Sequence, residues 1–146
     1  MAMDKQTEEL IEGLNEDLAH EYAAMIMYNN YAAVVSGMYR QVLKPFFEGE
    51  VTDEQTHALY LAEKIKTLGG EPTTKPADVK QTDNVKTMLE AARQSEADTI
   101  ARYKTRAKQA DELGLIELQN KIEDFITDET GHMEELERLL SDPRMQ

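Results

Sequence analysis

Cysteine is absent from this chain, which removes disulfides, thiolate metal ligands and thiol catalysis at once. Glycine and proline are scarce, seven and four in 146 residues. Almost no segment alternates with a period of two, so a turn-rich β fold is excluded. Basic residues are few: 16 Lys and Arg stand against 29 Asp and Glu, a net charge of −13. The opening Met1-Ala2-Met3-Asp4-Lys5-Gln6 holds one lysine and is no basic tail. Sequence-independent DNA binding therefore lacks its electrostatic footprint. No apolar run has the length of a membrane span, and the N-terminus lacks a signal-peptide core. The expectation is a soluble, cytoplasmic protein with neither a membrane nor a DNA partner.

Strong helix formers fill the remainder: Ala, Leu, Glu, Lys, Gln and Met. The class is all-α, and the length suits a single domain over residues 1–146. Four amphipathic segments are expected, each with an apolar stripe stepping by threes and fours. The first runs from about Lys5 to Ser36, on Leu10, Leu14, Leu18, Glu21, Met25, Tyr28, Ala32 and Val35, with Gly37 as its stop. The second runs from about Gln41 to Leu68, on Phe47, Glu50, Glu54, His57, Leu61, Ile65 and Leu68, and Gly69-Gly70 ends it. Pro45 leaves two starts open, one near Leu43 and one earlier with a bend. The third runs from about Asp83 to Glu112, on Val85, Leu89, Ala92, Glu96, Tyr103, Ala107 and Ala110, with Thr82 or Asp83 as N-cap. The fourth runs from about Leu115 to Leu140, on Leu115, Leu118, Ile122, Phe125, Glu129, His132, Leu136 and Leu139. Residues 69–82 are the one real loop, and 14 residues at roughly 3.3 Å each can run the length of such a helix. The architecture expected is an antiparallel four-helix bundle with a long crossover between helices 2 and 3.

Histidine occurs three times, and two of the three sit in a repeated motif. Asp53-Glu54-Gln55-Thr56-His57 reads D-E-x-x-H, and so does Asp128-Glu129-Thr130-Gly131-His132, 75 residues later. The same offset carries Glu21 onto Glu96 and Tyr28 onto Tyr103. Glu21, Glu54, His57, Glu96, Glu129 and His132 all fall on core-facing stripes, where an unpaired carboxylate is costly. The stripes supply no Lys or Arg to pair them. Four glutamates carry −4 and two divalent metal ions carry +4, which makes burial tolerable. Within E-x-x-H the two ligands lie one turn apart on one face. Mixed carboxylate and imidazole donors suit iron or manganese better than calcium or magnesium.

Around these six, Asp53 and Asp128 stand one step off the stripe, placed to accept a hydrogen bond from the other half's histidine. The alternative is a pair of solvated aspartates. Tyr28 and Tyr103 are candidates to bond site carboxylates or donate electrons, or are core aromatics. Glu50 breaks the repeat, since its counterpart is Phe125; it is a further metal-ligand candidate or a solvated residue at the bundle's end. His20 points about 100° away from Glu21 and reads as a surface or interface histidine. Met25, Met27, Met38, Met88 and Met133 read as core or subunit contacts.

At these residues, over about 8–140, the chain resembles the ferritin-like superfamily. Within it the likeness is to the bacterioferritins, or to a mini-ferritin-like relative with a bacterioferritin-type dimetal site. The bundle pattern of one Glu from each of two helices and Glu-x-x-His from the other two is itself the standard description of this group. The resemblance implies metal ligation by Glu21, Glu54, His57, Glu96, Glu129 and His132, with Glu54 and Glu129 bridging. It implies two iron ions per chain, manganese being an option, and oxidation of Fe(II) by O2 or H2O2. It also implies deposition of ferric mineral inside a homo-oligomeric cage.

Other branches fit less well. Ferritins proper lack the second E-x-x-H. Rubrerythrins, the non-storing peroxidase or oxidase alternative, have a further Glu where this chain has Thr99. DNA-protecting mini-ferritins place an Asp where this chain has Leu59. Bacterioferritins ligate haem through a methionine directly after the E-x-x-H glutamate; Gln55 stands there, so no haem is expected at that position. With fourteen residues after His132, the short fifth helix that lines an axis of the 24-subunit cage is not expected, which leaves a 12-mer or a smaller assembly such as a dimer open. A cage of 12 or 24 is expected over a dimer.

Overall fold

The computed structural model describes residues 3–146; Met1 and Ala2, at the head of the tail read above, lie outside them. Four helices carry the fold: α1 (Lys5–Val34), α2 (Arg40–Thr67), α3 (Val85–Glu112) and α4 (Ile116–Leu140). A short 3-10 turn, Pro143–Met145, follows α4. There is no strand among the described residues, and no helix of theirs is long and apolar enough to cross a membrane.

The apolar stripes form two buried clusters. One gathers Tyr31, Val35 and Ala32 of α1 with Leu43 and Phe47 of α2, Met88, Leu89 and Ala92 of α3, and Leu136 of α4. The other gathers Leu10, Leu14 and Leu18 with Leu61, Ile65, Ala110, Leu118 and Ile122. Helices α1 and α4 therefore run from the second cluster to the first, and α2 and α3 run the opposite way. This up-down-down-up order obliges the chain to cross the full bundle length between α2 and α3.

The crossover is pinned to α1 on its way. Asn15 Nδ2 donates to Glu71 O at 3.1 Å, and Asn15 Oδ1 accepts from Thr73 N at 2.8 Å. Further along, Ala77 N donates to Ala19 O at 2.9 Å. Gly70 starts the crossover where a Cβ would sit 2.6 Å from Ile11 Cγ2, so the chain passes close to α1 only without a side chain.

Two local expectations need correction, the end of α1 and the N-cap of α3, and the start of α2, left open above, is the earlier one. Helix α1 ends at Val34, two residues before Ser36. Its exposed carbonyls are met by Arg40, whose Nη1 donates to Val35 O at 2.7 Å, and that contact starts α2 immediately after the turn. Helix α2 accordingly begins at Arg40, and Pro45 lies past its first turn, removing the N–H that would bond Gln41 O. The N-cap of α3 is Asn84, neither Thr82 nor Asp83: Asn84 Oδ1 accepts from Thr87 N at 2.9 Å, while Thr82 Oγ1 accepts from Asn84 N in the turn before. Glycine ends both α2 and α3. Gly69 (φ +99°) and Gly114 (φ +71°) take the left-handed conformation that lets the following N–H reach back to Ile65 O and Ala110 O.

Candidate metal centre

Between the two apolar clusters lies one layer of polar side chains. Glu21, Glu50, Glu54, His57, Glu96 and Glu129 are buried, and the His132 side chain is 15 % exposed. Each helix delivers its share through its own periodicity. Glu50, Glu54 and His57 occupy successive turns of α2, and Glu129 and His132 successive turns of α4. One donor atom each from Glu21, Glu54, His57 and Glu129 lies within 4.8 Å of the others. Glu50, Glu54, Glu96 and His132 form a second such group, and Glu54 belongs to both. The two groups are adjacent positions in one centre.

Both imidazoles face inward with Nδ1. His57 Nδ1 is 3.2 Å from Glu129 Oε1 and 3.8 Å from Glu21 Oε1. His132 Nδ1 is 2.9 Å from Glu50 Oε2, 3.6 Å from Glu54 Oε1, and 3.7 and 3.8 Å from Glu129 Oε1 and Glu96 Oε1. Both face outward with Nε2, which donates from His57 to Asp128 Oδ2 at 3.0 Å and from His132 to Asp53 Oδ2 at 3.1 Å. Each aspartate thus holds the ring of the opposite half, although about half of its own side chain is in solvent. The tyrosines cross over too. Tyr28 OH donates to Glu96 Oε1 at 2.6 Å, and Tyr103 OH donates to Glu21 Oε1.

The electrostatics follow from burial. Desolvation pushes Glu54 well above the ordinary carboxylate range, and the nearby Glu21, Glu129 and Glu96 push it further. Glu129 is raised in the same way, by burial and then by Glu96, against the opposing effect of the His57 imidazole 3.2 Å away. Burial alone would also raise Glu21, but neighbouring Glu54 and His57 and the hydrogen bond from Tyr103 hold it below the usual range. Burial opposes the charged imidazoles, yet Glu129 and Glu21 push His57 up to about 10, and Glu50 and Glu96 push His132 up to about 11. Raised imidazoles and raised carboxyls both favour protons in the layer, which offsets part of its buried negative charge. Tyr28 and Tyr103 are raised by burial and then by the carboxylates they face, so both remain neutral donors.

Even so, the layer is not satisfied internally. Eight buried side-chain N or O atoms lack a hydrogen-bond partner among the described residues. Seven are Glu21 Oε2, Glu50 Oε2, Glu54 Oε1, Glu96 Oε2, Glu129 Oε1 and Nδ1 of His57 and His132. Buried polar atoms are ordinarily paired, so seven orphans converging on one space mark a ligand position. Carboxylate oxygens and imidazole nitrogens together are the donor set of a transition-metal pair.

Some features escape the sequence reading. Asp17, one turn before Glu21, is fully buried, and Arg106 Nε and Nη2 donate to its two oxygens at 2.7 and 3.1 Å. Arg102 Nε stands 3.7 Å from the same carboxylate. As expected, no Lys or Arg pairs with the six glutamates and histidines among the described residues; the buried Arg106 serves Asp17. Gly13 makes the room: a Cβ there would fall 2.3 Å from Arg106 Cζ. The four-residue steps from Gly13 to Asp17 to Glu21 were the available signal. His20 is half-buried and lines a groove between α1, α3 and the crossover together with Arg102. Of the methionines, Met27 and Met88 are core, while Met38 is 78 % exposed.

Comparison with known proteins adds an independent finding. The family model of the ferritin-like domain matches residues 11–145. A solved ferritin-like, diiron-carboxylate protein from Bacillus anthracis is 67 % identical, superposes with a TM-score of 0.94, and the match covers 95 % of this chain and 100 % of that one. The bacterioferritin of Desulfovibrio desulfuricans is 34 % identical over 125 residues, 85 % of this chain and 70 % of the relative. That of Brucella melitensis is 33 % identical over 135 residues, 90 % of this chain and 82 % of the relative.

Proposed function

Since the chain belongs to the ferritin-like family, we propose that its polar layer is a dinuclear ferroxidase centre that oxidises Fe(II) to Fe(III) within a self-assembled iron-storing protein. One observation carries the reading: seven orphaned donor atoms, all carboxylate or imidazole, converge on a buried space. Iron as the metal is supported by the diiron-carboxylate character of the Bacillus anthracis protein. In this reading iron is substrate as well as occupant.

Each residue has a definable task. Glu54, common to both donor groups, and Glu129, 3.7 Å from His132 Nδ1, would be shared between the two irons, and Glu21 and Glu96 would serve one each. His57 and His132 would each offer Nδ1, with Asp128 and Asp53 holding the rings at Nε2. Binding must displace the imidazolium protons and the carboxyl protons of Glu54 and Glu129, and four carboxylates then neutralise two Fe(II). Two Fe(II) release two electrons. With two protons these reduce O2 to H2O2, or H2O2 to two waters. Tyr28 and Tyr103 stay protonated and keep Glu96 and Glu21 in place.

The test is an anaerobic Fe(II) titration of metal-free protein, then exposure to air, with optical spectra and particle mass followed in one run. Saturation near about two Fe(II) per chain, with continued uptake by cage-sized particles, is the expected result. Saturation in a small oligomer without further uptake would turn the reading to a dimetal peroxidase or oxidase. Absence of stoichiometric binding would overturn the centre itself.

A further inference from the structure

We propose that the buried Asp17–Arg106 pair fixes the register between the hairpins α1–α2 and α3–α4, and so holds Glu21 in place against the donors of α3 and α4. Both are positioning residues, acting through Glu21 and Tyr103; their effect at the metal rests on the dimetal reading above.

At the 75-residue offset Ala92 and Tyr31 stand where Asp17 and Arg106 would be repeated, so the pair lies outside the two-fold pattern. Its place among the contacts that join the hairpins is particular. Between α1 and α3, among the described residues, side-chain hydrogen bonds join Tyr28 to Glu96, Tyr103 to Glu21 and Arg106 to Asp17. The first two end on carboxylates that serve the metal positions. Between α2 and α4, His57 meets Asp128 and His132 meets Asp53, and both imidazoles serve those positions as well. Tyr60 and Lys64 of α2 also meet Glu117 of α4, whose side chain is 61 % exposed. Asp17 with Arg106 is therefore the one hydrogen-bonded link between the hairpins that is buried and made by no metal-ligand candidate.

The geometry suits a register device. Two N–H groups of Arg106 reach the two oxygens of Asp17, and such a fork fixes distance and angle together. Arg106 itself is held: its Nη1 donates to Gln109 Oε1 at 2.9 Å, and a Cβ at Gly13 would lie 2.0 Å from that nitrogen. Asp17 stands one turn before Glu21 on α1, and Arg106 one turn after Tyr103 on α3. A slide of α3 along α1 that parts the fork therefore also parts Tyr103 from Glu21. Apolar contact opposes such a slide weakly, because it has no direction. Here Ala23, Ala24 and Ala91 line a groove of about 400 Å³ between the two helices.

Stability does not account for the pair. Burial raises the Asp17 carboxyl above its ordinary range in spite of both arginines beside it. An apolar pair of similar volume is often as stable or more so, and the best-attested gain from a buried polar contact is a single register.

The test compares the metal-free full chain with its Asp17→Leu, Arg106→Met double variant, which removes the pair without stranding either charge. Methyl NMR of Met27 on α1 and Met88 on α3, both buried in the other apolar cluster, reads the register far from the substitutions. One signal from each is expected in the parent, and divided or displaced signals in the double variant. Anaerobic Co(II) titration then reads the effect at the metal, where affinity should fall on the order of tenfold. Leu118→Ala, in the same cluster as the pair's neighbours Leu14 and Leu18, should lower stability and leave the Co(II) isotherm unchanged. If the double variant does not fold, Arg106→Lys carries the same test, since it keeps the charge and gives up the fork. Parental Met27 and Met88 signals in the folded variant would overturn the register, whatever the isotherm, and leave the dimetal reading standing. Divided signals with the parent's isotherm would overturn the effect at the metal. If the parent itself binds no Co(II), the dimetal reading falls, and the methyl signals still decide the register.

Discussion

The hairpins α1–α2 and α3–α4 are two versions of one device. Where the centre needs a donor, they match: Glu21 with Glu96, Glu54 with Glu129, His57 with His132, and the tyrosine and aspartate that hold each set. Elsewhere they match only in part: Leu14 with Leu89, Leu43 with Leu118 and Leu61 with Leu136 recur in the core, and other places differ in kind. Beyond Glu96, on the side of the α1–α2 turn, Met88, Ala92 and Tyr31 pack with Phe47, whose ring meets that of Tyr31 edge-on at 5.5 Å. The same places at the other end hold Gly13, Asp17 and Arg106, and a buried ion pair spans α1 to α3. The two-fold pattern is complete in the middle layer and partial in the apolar clusters. Packing has been solved separately at each end, once with apolar volume and once with charge.

The sharpest way to break the symmetry of the middle layer is to remove a shared ligand. Glu54 contributes to both metal positions, so Glu54→Ala should abolish stoichiometric Co(II) or Fe(II) binding. That loss exceeds the roughly 10- to 100-fold typical of disturbing a residue that only supports a ligand. Glu21→Ala should spare one equivalent. Equal losses in the two variants, measured by titration of metal-free protein, would show that the positions do not share Glu54.

At the ion-pair end, Arg106→Met should lower the stability of metal-free protein by about 3–5 kcal/mol, because it strands Asp17 in the core. The effect should be read from urea unfolding. Asp17→Leu combined with Arg106→Met should return to within about 1 kcal/mol of the parent or exceed it, since an apolar pair of similar volume carries no desolvation penalty. If the double variant is as unstable as the single one, the pair does more than fill space, and the contrast between the two ends is one of function.

This contrast also explains what could be read from the sequence. The helices, the crossover and the six inward glutamates and histidines were legible because they recur, by helical period or by the 75-residue offset. Asp17 and Arg106 have no charged counterpart at the offset, where Ala92 and Tyr31 stand. Asp17 does lie one helical turn before Glu21, but among Glu12, Glu16 and Glu21 in a strongly acidic chain that step alone does not separate a buried aspartate from a solvated neighbour. Helix ends were blurred for a similar reason. Arg40 caps α1 from the start of α2, a contact that exists only once the turn between them has formed. Glu50 was visible as an exception to the repeat, but only its place 2.9 Å from His132 Nδ1 separates an inward carboxylate from a solvated one.

The two histidines offer a test of the middle layer that leaves its residues intact. In the metal-free fold His57 titrates at about 10 and His132 at about 11, against the ordinary 6.5. Folded-state values raised in this way stabilise the fold fully below 6.5, and the contribution is lost as pH rises through 10 to 11. The raised carboxyls of Glu54 and Glu129 act in the same direction from a lower pH, because there too the folded state holds protons that the unfolded chain has released. The Tm of metal-free protein should therefore fall between pH 6 and pH 9, while that of Zn(II)-loaded protein falls much less. Zn(II) binding at pH 7 should also release protons into weakly buffered solution, one from each imidazole at least. Binding without proton release would mean that both rings are neutral in the metal-free state.

The smallest difference between the halves lies at the helix starts. Asp4 opens α1 and Asn84 opens α3, each with its side-chain oxygen accepting from the N–H three residues on, at 2.8 and 2.9 Å. Helices α2 and α4 have no side-chain cap and begin directly out of turns. Asn84→Ala should lower stability by about 1 kcal/mol, as loss of an N-cap usually does. Asp4→Ala should cost slightly more, since a carboxylate at a helix N-terminus also meets the positive end of the helix dipole. That increment should shrink in 1 M salt, where exposed charges are screened within about 3 Å. Because Asn84 also ends the crossover, a loss there well above the capping value would show that the cap holds the long connection in place as well as the helix.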